Sequence, residues 1–175
     1  MKEISEVDST LSSDKGLPDD VKTLLIVDDF VGSGDSLSRA IAEFYERHGT
    51  EITDKNLQIV VVVVCATADG EDQIRNTLHL LDDNAELVVC EALQSRHKAF
   101  ENGVGFWEDA DERQVAKEEI ERIGRAIDRK RPLGYSMSGL LVVFSRNCPN
   151  YTLPLLHSYG RGESSWQPLF ERIKH

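Results

Sequence analysis

The sequence contains few cysteines and no long apolar run. Its 175 residues include three cysteines, which are too few and too widely spaced for a disulfide framework or a zinc knuckle. The longest apolar run, residues 59–66, is far shorter than the roughly 20 residues that span a bilayer. The first residues also lack the apolar core of a secretory signal. We therefore expect reduced thiols, no membrane insertion and a soluble, cytoplasmic protein.

Positive charge is scarce relative to negative charge. Lys and Arg total 20 and Asp and Glu total 31, which gives a formal net charge of −11. A field of this sign repels polyanions, so we expect no nucleic-acid partner. The five histidines lack metal-ligand spacing, and no Gly-Lys-Ser or Gly-Lys-Thr loop occurs. The sequence therefore predicts no metal site made by the protein alone, and it excludes a P-loop ATPase.

The composition is typical of a folded protein with one domain. Hydrophobic residues make up 40% of the chain, and 175 residues are enough to bury a core. Residues 1–20 have no apolar period, so we predict a flexible leader followed by a single domain over 21–175. Residues 146–175 hold three of the five prolines, which predicts an ordered but irregular C-terminal tail.

Strand-like and helix-like segments alternate through the predicted domain. Apolar, partly β-branched runs predict four strands, at 24–27, 58–66, 86–92 and 139–145. The second run has five consecutive valines, which predict a central strand covered on both faces. Helical spacing predicts three helices: one at 35–48 with Ser33 or Asp35 as N-cap, one capped by Asp69 and ended by residues 82–84, and one around 116–127. This alternation, with a long loop at 93–109, favours an α/β fold with a mainly parallel sheet flanked by helices.

The residues with the clearest chemistry follow the first predicted strand. Asp28 and Asp29 end that strand, and the turn before the first helix consists of Val31, Gly32, Ser33, Gly34, Asp35 and Ser36. In parallel sheets, ligands bind beyond the carboxyl ends of the strands, where backbone N–H groups and the helix dipole favour an anion. Glycines let a ligand approach the backbone, and serines add hydroxyl donors. The pattern predicts a phosphate site at 31–36, with Asp28 and Asp29 placed to accept hydrogen bonds from vicinal ribose hydroxyls or to neighbour a divalent cation.

This stretch resembles the PRPP-binding signature of type I phosphoribosyltransferases, in which a buried strand is followed by two acids, two apolar residues and a Ser/Thr-rich turn with glycine. The resemblance implies a Rossmann-like phosphoribosyltransferase core. It also implies that Asp28 and Asp29 bind the ribose 2′- and 3′-hydroxyls, that residues 31–36 wrap the 5′-phosphate, and that Mg²⁺ comes near the two acids with PRPP.

The tail carries a second, narrower resemblance. Residues 147–154 and 166–170 are similar to the tail of a phosphoribosyltransferase-like group found in bacterial conflict systems. This similarity implies a role in bacterial defence and makes Asn147 and Asn150 a second candidate site.

The sequence departs from the family pattern in three places. Asp35 puts a carboxylate in the first turn of the predicted helix, where it suits the helix dipole but repels a phosphate. The signature usually follows the elements that carry the pyrophosphate loop and the mobile catalytic loop, but only 27 residues precede Asp28. We expect those elements to be lost, to lie upstream in a longer protein or to come from a companion chain; a homodimer is a further candidate arrangement. Gly32 stands where some members carry an acid as general base, so the sequence assigns no catalytic residue.

Three functions are compatible with these residues. The first is a phosphoribosyltransferase-like protein that binds PRPP or a ribose 5-phosphate-containing nucleotide; if it is an enzyme, it is a pentosyltransferase acting at ribose C1. The second is a non-catalytic ribose-phosphate sensor or partner-docking module that has lost the catalytic loops. The third is a receiver-like signalling domain with Asp69 as phosphoacceptor, although the strand and helix expected between the acid pair and the acceptor are missing.

Overall fold

The computed structural model describes residues 20–103, 107–145, 147–160 and 166–170. These residues form two compact units, one within Met1–Leu93 and one within Gln94–His175. The leader predicted at 1–20 lies outside the described residues except for Asp20. Among the helices in the described ranges, none has the length and apolar character needed to cross a membrane.

The first unit is a three-stranded parallel sheet with two helices. Along the chain its elements are β1 (Thr23–Val31), α1 (Asp35–Asp54), β2 (Gln58–Thr67), α2 (Ala68–Leu81) and β3 (Glu86–Leu93). The strand order is β1-β2-β3, so β2 is central, as its valine run predicts. Each connection between neighbouring strands contains a helix, because parallel neighbours need a crossover. The predicted α/β fold with a parallel sheet and flanking helices is confirmed.

One face of this sheet carries the core. Along β2 the alternate residues Ile59, Val61 and Val63 are buried. They belong to one cluster with side chains from both helices: Leu37, Ile41, Phe44 and Ile52 of α1, and Ile74 and Leu78 of α2. The strands also carry exposed apolar side chains at alternating positions: Leu25, Val27, Val64 and Val88. The prediction that β2 is covered on both faces is therefore wrong at Val64, which is 42% exposed.

The first helix is longer than predicted. The sequence predicts that it ends near His48, with Gly49 as a C-terminal cap, but α1 continues through Gly49 to Asp54. The added turn places Ile52 in the core, where it is 3% exposed. Burial of one large apolar side chain stabilises a structure by about 1.5–3 kcal/mol, which exceeds the cost of about 1 kcal/mol for glycine inside a helix.

The predicted N-caps of both helices are wrong. Gly34 caps α1 in place of Ser33 or Asp35, because the chain enters the helix through a left-handed residue, and glycine adopts that conformation without strain. Thr67 caps α2 in place of Asp69, because the helix begins immediately after β2 and the Thr67 hydroxyl accepts a backbone N–H of the first turn.

The second unit contains α3 (Ala110–Ile127) and the short helix α4 (Pro154–His157). The side chain of Asp109 caps α3 by accepting the backbone N–H groups of Asp111 and Glu112. The helix predicted around 116–127 is confirmed and ends before Pro132, but it begins earlier, at Ala110. In the described part of the loop predicted at 93–109, the regular structure beyond the end of β3 is a 3₁₀ turn at Ser95–His97.

The strand predicted at 139–145 does not form. Within the described residues, Leu140 makes two isolated bridges, to Lys98 and to Thr152. Its N–H donates to the carbonyl of Tyr151, and its carbonyl accepts the N–H of Leu153. The segment is apolar because most of it is buried or half-buried, with Leu140 only 1% exposed, and not because it belongs to a strand ladder. A short buried irregular segment and a short buried strand have the same apolar pattern, which explains the wrong prediction.

Two helical glycines are expected to respond in opposite ways to alanine. A side chain at Gly124 in α3 would overlap the backbone carbonyl of Pro132, whereas a side chain at Gly49 in α1 meets none of the described residues within 4 Å. Gly49→Ala should therefore raise the free energy of unfolding by about 0.5–1 kcal/mol, since alanine is the better helix former. Gly124→Ala should lower it by about 1–3 kcal/mol, as overpacking does. Urea denaturation measures both values, and a stabilising effect of Gly124→Ala would contradict the close approach of Pro132.

Candidate functional site

Two consecutive carboxylates lie near the carboxyl end of β1. Asp28 and Asp29 are inside the strand, whereas the sequence predicts that they follow it. The strand is longer than its apolar run because its pairing with β2 continues through Phe30 and Val31. Consecutive strand residues alternate between the two faces of a sheet. Asp28 is accordingly half-buried, and Asp29 is exposed.

The negative charge of Asp28 is held in an unfavourable environment. Burial raises the pKa of its carboxyl, and the charge of Asp29 acts in the same direction. Backbone N–H groups of Asp29 and Phe30 oppose this rise, and the N–H of Asp29 lies 2.8 Å from Oδ1 of Asp28. A hydroxyl donor or a cation would stabilise such a carboxylate, and carboxylates in this kind of environment are typical of binding sites.

Asp28→Asn is expected to keep or raise the stability of the free protein. The amide oxygen of asparagine still accepts the N–H of Asp29, and the partly buried charge is removed. Because the folded-state pKa of Asp28 lies above its unfolded value, the charge disfavours folding at neutral pH, and this effect disappears as the pH falls through the folded-state pKa. The advantage of the variant should therefore be present at neutral pH and lost below about pH 4. Urea denaturation of both proteins at the two pH values tests this, and a variant less stable at neutral pH would contradict it.

The turn from β1 into α1 leaves the start of the helix without a side-chain cap. Gly34, the N-cap residue, has a φ of 83° and no side chain that accepts the N–H groups of the first turn. These N–H groups lie at the positive end of the dipole of a 20-residue helix. An anion placed against residues 31–36 would meet backbone donors and a favourable field.

Polar side chains of the same turn have mixed effects on an anion. The Ser33 hydroxyl donates to Oδ2 of Asp35 at 2.9 Å. Asp35 lies in the first turn of α1, where its charge favours the helix dipole but repels a nearby phosphate. Ser36 is exposed and offers a second hydroxyl. The predicted loop residues thus lie together at one end of β1. Among them, the negative charge of Asp35 repels a phosphate.

The junction of β2 and α2 packs directly against this loop. The Thr67 hydroxyl donates to the carbonyl oxygen of Gly32 at 2.6 Å. A side chain at Gly34 would lie 2.8 Å from Cβ of Gln73 in α2, and a side chain at Gly70 would overlap the carbonyl of Gly32. Sequence reasoning missed these contacts, because the residues are about one βα unit away from the loop. The local sequence signal for this packing is Gly70, a glycine near the start of the helix that follows the central strand.

A third carboxylate near the carboxyl end of the sheet was also missed. In the strand register, Phe30 of β1 is opposite Cys65 of β2, and Cys65 is opposite Glu91 of β3. Burial raises the pKa of the Cys65 thiol, and the charges of Glu91 and Asp29 raise it further. Cys65 is therefore a protonated, buried thiol, in agreement with the interpretation of reduced cysteines. Glu91 lies in the same region of the sheet as the acid pair.

The second candidate pair lies in the other unit and makes local hydrogen bonds. The side-chain oxygen of Asn147 accepts the N–H of Cys148 at 2.9 Å, and its backbone carbonyl accepts the N–H of Phe144. The backbone carbonyl of Asn150 accepts the N–H of Tyr135 at 2.8 Å. These contacts stabilise turns of the second unit. A ligand role for Asn147 and Asn150 stays a prediction.

The described residues suit a divalent cation only together with a ligand. Across the described ranges, no group of three or more His, Cys, Asp and Glu side chains is arranged to hold a metal ion. Mg²⁺ is commonly bound by one or two carboxylates together with phosphate oxygens of a substrate. Asp28 and Asp29 supply two carboxylates close to the turn at 31–36.

Comparison with protein families identifies one match over nearly the whole chain. The PRTase-CE family model, which describes a phosphoribosyltransferase-type family, matches residues 1–172. No curated protein matches the chain.

Proposed function

Because the chain belongs to the PRTase-CE family, we propose that it binds a ligand with a ribose 5-phosphate group, either PRPP or a nucleotide, at the carboxyl end of β1. The observation that carries this proposal is the arrangement in the first unit. A glycine turn at the N-terminus of α1 directly follows a strand with a half-buried carboxylate and its exposed neighbour. The PRTase-CE family is of another type than receiver domains, so the receiver-like alternative does not apply.

In this proposal the turn at 31–36 binds the 5′-phosphate. Backbone N–H groups at the start of α1, the hydroxyl of Ser36 and the helix dipole supply the attraction, and the Ser33 hydroxyl can donate to the phosphate once it leaves Asp35. The charge of Asp35 reduces that attraction. A Mg²⁺ ion held by the phosphates of PRPP and by the acid pair would offset this repulsion.

The acid pair is proposed to bind the ribose. Each carboxylate accepts a hydrogen bond from one of the vicinal hydroxyls, and bonds to a charged acceptor are about twice as strong as neutral ones. The carboxylates of Asp28 and Asp29 interact with each other near the carboxyl end of β1, so one ribose ring can reach both. The hydroxyl donors relieve the unfavourable charge of Asp28, which favours binding.

Two functions remain for this site. As an enzyme, the protein would hold PRPP while a nucleophile attacks ribose C1 and the bond from C1 to pyrophosphate breaks, through an oxocarbenium-like transition state favoured by positioning and by nearby negative charge. As a sensor, it would bind the ligand without reaction. Gly32 has no side chain that could transfer a proton, and its carbonyl already accepts a hydrogen bond from Thr67. This observation supports the sensor as a second candidate function beside the enzyme. A companion chain and a role in bacterial defence belong to the proposal as its biological setting.

Calorimetric titration of the full chain tests the binding. The ligands are PRPP, ribose 5-phosphate, 2-deoxyribose 5-phosphate and ribose, each with and without Mg²⁺. We expect ribose 5-phosphate to bind about tenfold to a hundredfold more tightly than the deoxy sugar, the value of one hydrogen bond to a charged group. Equal affinity for both sugars would exclude the acid pair as the ribose site. Pyrophosphate release from PRPP with a panel of nucleobases then separates the enzyme from the sensor.

A further inference from the structure

We infer that Thr67 and Gly70, at the N-terminus of α2, are positioning residues for the phosphate loop at 31–36. The inference rests on the proposed function, because it concerns the same site. Neither residue belongs to the sequence signature that identifies the loop. The signature therefore assigns neither of them a contact with the ligand. They act through the backbone of Gly32.

Thr67 joins the loop to the start of α2 through one hydroxyl. Its proton is donated to the carbonyl of Gly32 at 2.6 Å, and its oxygen accepts the N–H of Gly70 at 3.2 Å. A hydroxyl has one proton to donate and can accept at the same time, so Thr67 serves both partners fully. Valine has the same shape as threonine and can make neither bond.

The bond to Gly32 fixes the direction of a backbone donor in the loop. The carbonyl of Gly32 and the N–H of Ser33 belong to one trans peptide plane and point in opposite directions. Because Thr67 holds that carbonyl toward α2, the N–H of Ser33 points away from α2. Rotation of this peptide by half a turn would put a carbonyl oxygen where the N–H is now, and the oxygen would repel a phosphate.

Gly32 needs such a restraint because glycine has the widest choice of backbone conformations. The loop contains a second glycine, Gly34, with a φ of 83°, so the chain on both sides of Ser33 is intrinsically free to rotate. The Thr67 bond selects one orientation before a ligand arrives. A loop that is already in the binding conformation loses less entropy when it binds.

Gly70 allows the two turns to approach. It is buried in the first part of α2, and a Cβ there would overlap the carbonyl oxygen of Gly32 and lie 2.8 Å from Cγ1 of Val31. The obstacle is mainly backbone, which cannot move aside as a flexible side chain does. Any larger residue at Gly70 must therefore displace the loop or α2.

The test compares Thr67→Val with two matched variants of the full chain. Thr67→Ser keeps the hydroxyl. Thr77→Val removes a threonine hydroxyl from α2 that bonds to the carbonyl of Gln73 and the hydroxyl of Ser38 rather than to the loop. The probes are inorganic phosphate, ribose 5-phosphate and 2-deoxyribose 5-phosphate. Affinity is measured by calorimetry, and the chemical shift of the Gly32 carbonyl carbon, which reports the hydrogen bond from Thr67, is measured by NMR without ligand.

We expect Thr67→Val to weaken binding of ribose 5-phosphate and of phosphate by about tenfold, the value of one intramolecular hydrogen bond. The ratio of affinities for the two sugars should stay as in the unchanged protein, since the acid pair is intact. Thr67→Ser should restore affinity, and Thr77→Val should not change it. A change in the Gly32 carbonyl resonance should accompany the loss in Thr67→Val alone.

Failure of the inference and failure of the proposed function give different results. If the unchanged protein binds none of the probes, the proposed function is wrong, and the positioning role for phosphate is wrong with it. If the unchanged protein binds and Thr67→Val binds equally well, only the inference is overturned. Equal weakening by Thr77→Val, or an unchanged Gly32 carbonyl resonance in Thr67→Val, also overturns it, because the effect would then not pass through the loop.

Discussion

Replacing Asp28 and Asp29 together by asparagine is expected to lower the affinity for ribose 5-phosphate and PRPP by about a hundredfold or more, with the fold intact. Each carboxylate is proposed to accept a hydrogen bond from a ribose hydroxyl, and conversion to an amide removes the charge that roughly doubles the strength of that bond. The amide also loses attraction for a Mg²⁺ ion carried by PRPP. The fold should survive because neither side chain belongs to the buried core of the first unit.

Calorimetric titration of the double variant with both ligands is the measurement, and circular dichroism checks the fold. A matched control is Asp82→Asn with Asp83→Asn, which changes the net charge equally at a pair that lies after α2 and before β3. There the amide oxygen of residue 82 can still accept the N–H of Asn84. The control should bind as the unchanged protein does. Undiminished binding by the Asp28 and Asp29 variant would place the ribose elsewhere.

The sheet of the first unit was predictable because its strands and helices have strong periodic patterns. Five consecutive valines at 60–64 crowd a helix and suit a strand, and β2 is indeed the central strand. The apolar run at 139–145 is irregular although Leu140 is buried, so apolar character alone overpredicted a strand. The end of α1 was predicted too early, because Gly49 is a typical helix end in the sequence. In the structure, the burial of Ile52 outweighs the free-energy cost of glycine inside the helix.

The candidate site was predictable only where its residues are adjacent in the sequence. Asp28, Asp29 and the turn at 31–36 form one continuous segment, whose order of strand, acids and glycines can be recognised directly. Thr67 contacts the carbonyl of Gly32 across 35 positions, and Glu91 comes near the acid pair only through the register of two strand pairs. Such contacts depend on how the strands pair and how the helices pack, and they leave no periodic trace in the sequence.

Gly34→Val is expected to remove phosphate binding altogether and to lower the free energy of unfolding by about 2–4 kcal/mol. Valine is branched at Cβ and strongly disfavours positive φ, whereas Gly34 has a φ of 83°. Its Cβ would also lie 2.8 Å from Cβ of Gln73 and 3.0 Å from the carbonyl oxygen of Gly70. Both effects force the turn away from α2, so the N–H groups at the start of α1 lose their arrangement.

Gly103→Val provides the matched control for backbone strain, because Gly103 has a φ of 71° and a Cβ there would meet no atom of the described residues within 4 Å. It should lower stability by about 1–2 kcal/mol through strain alone and leave phosphate affinity unchanged. Urea denaturation and calorimetric titration with ribose 5-phosphate compare the two variants. If Gly34→Val keeps full affinity, the phosphate does not bind at the turn that begins α1. A second outcome is that Gly34→Val loses affinity while its free energy of unfolding falls only as much as that of Gly103→Val. In that case backbone strain alone disorders the turn, and the contact with Gln73 contributes little.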